Sequence, residues 1–140
     1  MTEPGLTVTD TIEPAAREAI RQGLHDFNVA RSGINDRREI AVLVQDPHTG
    51  ETLGGLLGRT SMGMLMIDVF FLPEALRGNG LGSRVLELAE AEGRRRGCVT
   101  AVLITLSFQA PGFYAKQGYE AFGEITGDGA SRFFMRKDLR

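Results

Sequence analysis

The spacing of apolar residues near the start of the chain predicts two elements. Residues 6–10 alternate between apolar and polar positions, as in a short strand. A longer pattern from Glu13 to Arg31 has the period of an amphipathic helix, with Ile20, Leu24 and Phe27 on one face. We therefore expect a strand followed by a helix that carries one apolar stripe.

The next two apolar segments predict a β-hairpin. Residues 39–45 and 51–60 are strand-like, and Asp46-Pro47-His48-Thr49-Gly50 lies between them. Proline and glycine in such a segment supply the backbone dihedral angles that a tight turn needs.

Two later segments are apolar almost throughout. Residues 64–72 and 98–106 suit central strands that are covered on both faces. The segment between them, about Gly80 to Arg96, has helical spacing, with Leu81, Val85, Leu88 and Ala89 as its expected buried stripe. Strand, helix and strand in this order predict a right-handed parallel crossover.

A short helix near 111–116 and two strands, 119–125 and 131–137, are expected at the end of the chain. The fold class is therefore mixed α/β. We expect six to seven strands in a mostly antiparallel sheet, with one central parallel pair and flanking helices. The length of 140 residues fits a single domain spanning residues 1–140.

A glycine-rich loop joins the first buried strand to the central helix. It reads Arg77-Gly78-Asn79-Gly80-Leu81-Gly82-Ser83. Glycine lets a ligand approach the backbone closely, and the first turn of a helix has N–H groups without partners inside the helix. These donors and the positive end of the helix dipole favour a phosphate-type anion, to which Arg77 could add a charged contact.

The two common nucleotide-binding loops do not fit this segment. The ATPase phosphate loop requires a lysine that is missing here, and the dinucleotide loop requires the spacing G-x-G-x-x-G. The glycines of this loop are spaced G-x-G-x-G, and residues 98–106 contain no acidic residue for a ribose. A nucleotide-binding domain is therefore disfavoured.

The loop resembles the acetyl-CoA signature of the GCN5-related N-acetyltransferase (GNAT) family, [QR]-x-x-G-x-[GA]. Arg77, Gly80 and Gly82 match its defined positions. A second family signature places Ser or Asn seven residues before Tyr, and Ser107 and Tyr114 have this spacing. The resemblance covers about residues 51–125 and implies a small single-domain member with the GNAT acyl-CoA N-acyltransferase fold, whose central parallel strands splay apart.

The resemblance also implies how acetyl-CoA would be bound. Backbone groups of the first buried strand would bind the pantetheine arm, the loop amides would bind the pyrophosphate, and Ser107 would contact the arm from the other side. The expected cofactor-binding residues are Phe70, Phe71, Leu72, Arg77, Gly78, Asn79, Gly80, Leu81, Gly82, Ser83 and Ser107.

In this family an amine attacks the thioester directly, and the leaving thiolate needs a proton. Tyr114 matches the family's general acid, and a phenol with an ordinary pKa near 10 is protonated at neutral pH. Asp68, which interrupts an apolar run, is the candidate base, although deprotonation through water would leave no mark in the sequence. Strand alternation predicts Asp68 on the same face as Met66, Phe70 and Leu72.

The amino-acid composition argues against several classes of partner. The net charge of −2 gives no basic field for nucleic acid or a membrane surface. Two His and one Cys exclude a Cys/His zinc cluster, so we expect no metal, and the single Cys fits a reducing cytoplasm. Exposed sheet edges allow a homodimer.

The leading hypothesis is an N-acetyltransferase that moves acetyl from acetyl-CoA to a primary amine of a small molecule or peptide. The alternative is a non-catalytic acyl-CoA-binding or regulatory module of the same fold. Tyr114 favours the enzyme, because a binding module needs no acid at that point.

Overall fold

The computed structural model describes residues 2–140 as two units, one ending at Asn35 and one spanning Asp36–Arg140. The first unit contains helix α1, Pro14–Ser32, which begins with the proline whose fixed φ suits a first turn. The helix ends at Gly33, which has a φ of 72° and donates its N–H to the Val29 carbonyl at 2.8 Å.

The predicted strand at residues 6–10 is wrong. The segment has no regular secondary structure, and Leu6 and Val8 are almost fully exposed. Alternation over five residues does not form a strand by itself, because each strand needs a neighbour to take up its backbone hydrogen bonds.

The second unit contains two further helices and six strands. In chain order these are β1 (Arg38–Gln45), β2 (Thr52–Ser61), β3 (Met64–Phe71), α2 (Leu81–Arg95), β4 (Thr100–Leu106), α3 (Pro111–Lys116), β5 (Glu120–Thr126) and β6 (Ser131–Asp138). The sheet order is β1-β2-β3-β4-β6-β5, and all neighbours except β3 and β4 are antiparallel. The predicted mixed α/β class with one central parallel pair is confirmed.

The parallel pair is joined over only part of its length. Paired residues run from Met64 beside Thr100 to Ile67 beside Leu103. Both strands then continue without a mutual partner, β3 to Phe71 and β4 to Leu106. The sheet therefore opens into a gap at the carboxyl ends of its two central strands.

A β-bulge at Asp68 overturns the predicted alternation of β3. Leu57 of β2 lies opposite Val69, whereas the next residue, Gly58, lies opposite Ile67. Asp68 is therefore an extra residue of β3 with no paired residue on β2. Beyond it, the side chains of β3 point to the opposite faces of the sheet from those that strict alternation predicts. Phe70 consequently packs on the core side with Ile67, and not on the face of Asp68 as expected.

Helix α2 covers the core side of β1, β2 and β3. Val85, Leu86 and Ala89 are buried there against strand residues such as Leu65 and Ala101. The expected stripe was partly wrong: Leu88 is exposed, whereas Leu86 and the acidic Glu90 are buried. The sequence spacing left the exact orientation of the stripe open by about one residue, which is 100° around a helix.

Candidate functional site

A cavity of about 620 Å³ lies at the gap between β3 and β4. The end of β3, the glycine loop, the start of α2, the end of β4 and helix α3 all contribute to it. Its lining residues are Phe70, Phe71, Leu72, Arg77, Gly78, Gly80, Gly82, Ser83, Thr105, Phe108, Gln109, Ala110, Phe113 and Tyr114. A volume of this size falls in the usual range for small-molecule and cofactor sites.

The glycine loop presents backbone donors to one end of the cavity. Gly78 and Gly80 have φ values of 88° and 82°, a conformation that is strained for any other residue. The helical hydrogen bonds of α2 begin at Arg84, which donates to the Gly80 carbonyl at 3.2 Å. The N–H groups of the first turn therefore precede the helical ladder, at the positive end of the helix dipole.

The side chain of Arg77 is held by the neighbouring strand end. Its Nε donates to the Leu72 carbonyl at 2.9 Å. This bond leaves the other guanidinium nitrogens free for a charged contact with an anion in the cavity. The loop end of the cavity thus combines main-chain donors with one positioned cation.

Two contacts join the loop to helix α3. A Cβ at Gly82 would lie 3.4 Å from the Phe113 ring, so the helix start and this ring are in close contact. Gln117 donates from Nε2 to the Ser83 hydroxyl at 2.8 Å. The two sequence signatures, about 30 residues apart in the chain, therefore form adjacent walls of one cavity.

Tyr114 lies in helix α3, which begins at Pro111. Its ring makes edge contacts with Phe70, Phe113 and Tyr119, at centroid distances of 6.3, 5.3 and 5.9 Å. Only 8% of the residue is exposed, and burial raises its pKa to about 12. Because desolvation disfavours the phenolate, Tyr114 keeps its proton across the physiological pH range.

This buried phenol predicts a loss of stability at alkaline pH. The folded pKa lies above that of the unfolded chain, near 10, so the stabilisation is complete below pH 10 and is lost as pH rises towards 12. At pH 11 the free energy of unfolding should be about 1.4 kcal/mol lower than at pH 8 from this group alone. Urea denaturation of wild type and Tyr114→Phe at both pH values measures this change in the free energy of unfolding. An equal drop in both proteins would contradict the prediction, since all other groups titrate in both.

Three of the predicted cofactor-binding residues do not line the cavity. Asn79 lies between the two left-handed glycines, and Leu81 packs against the core. Ser107 bonds instead to the first residue of β6: its hydroxyl accepts from the Ser131 N–H at 3.1 Å, and its own N–H donates to the Ser131 carbonyl at 2.8 Å.

Asp68 is also outside the cavity lining. Its carboxylate pairs with the Arg59 guanidinium, and both side chains are partly exposed. The two residues lie on adjacent strands, since Arg59 is opposite Met66, two residues before the bulged Asp68. The ion pair with Arg59 therefore explains how a charged residue can stand inside the apolar run of β3.

Sequence reasoning missed two polar residues of the cavity wall. Thr105 is buried at the end of β4, and its hydroxyl donates to Gln109 Oε1 at 3.3 Å. The same oxygen accepts the Leu106 N–H at 2.8 Å. Thr105 interrupts the apolar run 98–106 much as Asp68 interrupts the earlier one, and this signal could have identified it.

A buried ionic cluster lies beyond Tyr114. Glu90 is almost fully buried in α2; it accepts the Tyr119 hydroxyl at 2.8 Å and pairs with Lys137 Nζ at 2.9 Å. Both carboxylate oxygens thus have partners, as a buried charge requires. Because Tyr119 also contacts the Tyr114 ring, the cluster supports the wall that carries Tyr114.

Two further findings concern residues 2–140. They contain no group of three or more His, Cys, Asp and Glu side chains placed to hold a metal ion. In the same part of the chain, each helix is too short or too polar to cross a membrane.

A family model described as the acetyltransferase (GNAT) family matches residues 9–119. An acetyltransferase from Agrobacterium fabrum is 35% identical over 118 residues, which cover 84% of this chain and 85% of that protein. A blasticidin-S acetyltransferase from Streptomyces morookaense is 42% identical over 77 residues, which cover 54% of this chain and 57% of that protein.

Solved structures agree with the sequence matches. A crystal structure described as an acetyltransferase from Agrobacterium tumefaciens has a TM-score of 0.89 and 31% identity, covering 96% of this chain and 99% of that one. The family match spans most of the chain, and the structural match nearly all of it. The chain is an acyltransferase and belongs to the GNAT family of acetyltransferases.

Proposed function

We propose that this protein transfers an acetyl group from acetyl-CoA to a primary amine of a small molecule or peptide by direct attack. The observation that carries the proposal is a single cavity with an anion-binding glycine loop at one end and the buried, protonated Tyr114 in its wall. The glycine loop suits the binding of a pyrophosphate, and the Tyr114 hydroxyl can give a proton to a departing thiolate.

The residues that line the cavity suit the successive parts of acetyl-CoA, from the pyrophosphate to the pantetheine arm. The N–H groups at Gly82 and Ser83 and the Arg77 guanidinium would hold the pyrophosphate. The strand end Phe70–Leu72, which β4 no longer accompanies, would bind the pantetheine arm through its main chain. Thr105 and Gln109 would supply polar contacts from the opposite wall.

The chemistry needs a neutral amine, a polarised carbonyl and a proton donor. The amine nitrogen forms a bond to the thioester carbon, and the carbon–sulfur bond then breaks. Tyr114 would donate its proton to the departing sulfur, and a backbone N–H near Phe71 or Leu72 would stabilise the oxyanion. Binding both substrates side by side would supply much of the remaining acceleration.

We keep Asp68 as the proposed base that accepts the proton of the attacking amine. Asp68→Asn preserves the shape of the side chain beside Arg59 but removes its charge. If Asp68 is the base, kcat/KM should fall by about 100-fold or more. An unchanged kcat/KM would instead assign this step to water.

We also propose the domain organisation, the compartment and the partners of the protein. Residues 1–140 would act as one domain, because the family match crosses the boundary at Asn35. The buried, unpaired Cys98 fits a reducing cytoplasm, and we propose no metal, nucleic-acid or membrane partner.

The test is amine-dependent release of free CoA from acetyl-CoA. The acceptor panel contains blasticidin S, polyamines, amino-acid amides and short peptides; blasticidin S is included because a relative is named for it. We expect release that saturates with at least one primary amine, together with acetylated product detected by mass spectrometry. Each acceptor with all its primary amines acetylated is the control and should give no release.

Two outcomes would overturn the proposal. Tight binding of acetyl-CoA without release on any amine would leave a binding module. Release that is equally fast with and without amine would indicate a thioester hydrolase.

A further inference from the structure

Helix α3, which carries Tyr114, has only six residues, Pro111–Lys116. A helix this short does not hold its shape in water by itself, because forming its first turn costs more than the few later bonds return. Its last turn is closed by Gln117, whose N–H lies 3.2 and 3.0 Å from the carbonyl oxygens of Phe113 and Tyr114. The position of Tyr114 therefore depends on how this segment is tied to its neighbours.

Two side-chain hydrogen bonds tie the segment to helix α2. Gln117 donates from Nε2 to the Ser83 hydroxyl at 2.8 Å, and the Tyr119 hydroxyl donates to Glu90 at 2.8 Å. The bonds are equally short, but Ser83 lies in the first turn of α2 and Glu90 about two turns further on. Of the two, the bond from Gln117 reaches the cavity lining, at Ser83.

The Ser83 hydroxyl can extend this bond to an anion in the cavity. A serine hydroxyl has one proton and two lone pairs, and here a lone pair accepts from Gln117. Its own proton is left for another acceptor, at the end of α2 where the helix dipole favours negative charge. A phosphate oxygen is a strong acceptor, since hydrogen bonds to ionised groups are roughly twice as strong as neutral ones.

A bond from Ser83 to a phosphate would strengthen the bond from Gln117 to Ser83. Hydrogen bonds in a chain polarise one another by roughly 10–30%, because a hydroxyl that donates to an anion becomes a better acceptor. The Gln117 main chain closes the turn that contains Tyr114, so a firmer hold on Gln117 also holds this turn. By linkage, a firmly held α3 favours the anion in return.

We propose that Gln117 is a positioning residue that acts through Ser83 and couples the binding of a pyrophosphate at the glycine loop to the placement of Tyr114 in the cavity wall. The inference rests on the proposed acetyl transfer for the catalytic role of Tyr114. It gives the nucleotide part of acetyl-CoA an effect on kcat as well as on affinity, because binding energy at a remote group can be used to fix the reacting groups.

The first test follows amide hydrogen exchange and needs no chemistry. ADP is the probe, because it carries a diphosphate and has no pantetheine arm to contact α3. In wild type, saturating ADP should slow exchange in residues 77–85 and also, by about 3- to 10-fold, in residues 111–119. In Gln117→Met, whose side chain has a similar length but no donor, ADP should protect residues 77–85 alone.

Tyr119→Phe is the matched control, because it deletes the other hydrogen bond between the same two segments. Exchange in residues 111–119 should become faster without ligand, but ADP should still slow it. Ser83→Ala should behave like Gln117→Met, and the double variant should lose nothing more, since both changes interrupt the same chain of bonds.

The second test compares acetyl-CoA with acetyl-pantetheine, which lacks the pyrophosphate. Wild-type kcat should be higher with acetyl-CoA, and the ratio of the two kcat values should fall by about 3- to 10-fold in Gln117→Met, the effect of one hydrogen bond. A purely structural role of Gln117 would lower both kcat values by the same factor and leave their ratio unchanged. Tyr119→Phe should keep the wild-type ratio.

Either of two findings would contradict the coupling. One is that ADP leaves residues 111–119 of wild type unprotected, or protects them equally in Gln117→Met. The other is an unchanged ratio of the two kcat values. If neither thioester reacts with any amine, the proposed acetyl transfer fails, whereas hydrogen exchange still decides whether the loop and α3 are coupled.

Discussion

Tyr114→Phe is expected to lower kcat by about 100- to 10,000-fold, the usual contribution of a general acid. Phenylalanine keeps the packing against Phe70 and Phe113 but has no proton for the departing thiolate. The dissociation constant for CoA should therefore stay within a few-fold of wild type. Stopped-flow or steady-state CoA release, together with calorimetric CoA binding, separates the two effects.

Tyr119→Phe is the matched control, since it removes the same hydroxyl from the other tyrosine of the chain. Its hydroxyl donates to buried Glu90, so its loss should cost about 1–3 kcal/mol of stability and leave kcat nearly unchanged. Tyr114→Phe should show the opposite pattern at neutral pH. A Tyr114→Phe enzyme with wild-type kcat would remove Tyr114 as the acid.

The pH profile gives a further check on the same residue. With a pKa of about 12, Tyr114 retains its proton throughout the working range. The wild-type rate should rise with pH as the amine acceptor loses its proton, and show no alkaline fall below pH 10. A fall near pH 8 or 9 would assign the acid to another group.

Gly80→Glu is expected to weaken CoA binding by at least about 100-fold, or about 2.8 kcal/mol. The new carboxylate would stand at the N-terminus of α2, where the loop amides meet the cavity, and would repel a pyrophosphate. The folded state should lose only the backbone strain of a side chain at a φ of 82°, about 1–2 kcal/mol, because a Cβ at Gly80 meets no atom within 4 Å. Calorimetry with CoA measures the affinity, and thermal unfolding measures the stability.

Gly97→Glu is a closely matched control for this change. Gly97 has a φ of 85°, is exposed and has the same open surroundings, but it follows the opposite end of α2. Both variants should lose about 1–2 kcal/mol from the left-handed backbone, and Gly97→Glu slightly more, because the negative end of the dipole disfavours its charge. Only Gly80→Glu should lose CoA affinity.

Gly80→Gln separates charge from shape in the same loop. If repulsion dominates, glutamine should recover most of the lost affinity, and the residual loss reports the added side chain. Equal CoA affinity in Gly80→Glu and wild type would contradict the assignment of the loop to the pyrophosphate.

Much of the fold could be predicted from the sequence because its signals are local. Apolar period, turn residues and glycine placement depend on neighbours along the chain, and they located the three helices and six strands to within about two residues. The strand at residues 6–10 failed because a strand also depends on a partner that periodicity does not provide.

The faces of the elements were less predictable. The bulge at Asp68 is a property of the β2–β3 register, and it moved Phe70 to the core side. On α2, burial of Leu86 and Glu90 in place of Leu88 depends on how the helix is rotated against the sheet. In both cases, the deciding contacts come from a neighbouring element, so they do not follow from the spacing of residues within one strand or helix.

The sequence by itself determined the family resemblance, through the Arg77–Gly82 loop and the spacing of Ser107 and Tyr114, and it predicted that this loop binds an anion. These features are short, and their chemistry follows from residue type and spacing. Only the tertiary structure decided which side chains meet: it placed Tyr114, Thr105 and Gln109 in the cavity wall. It also bonded Ser107 to Ser131 and paired Asp68 with Arg59. The physical reason is that strand register and helix rotation are set by packing between different segments of the chain. The cavity likewise exists only because β3 and β4 stop pairing before their carboxyl ends.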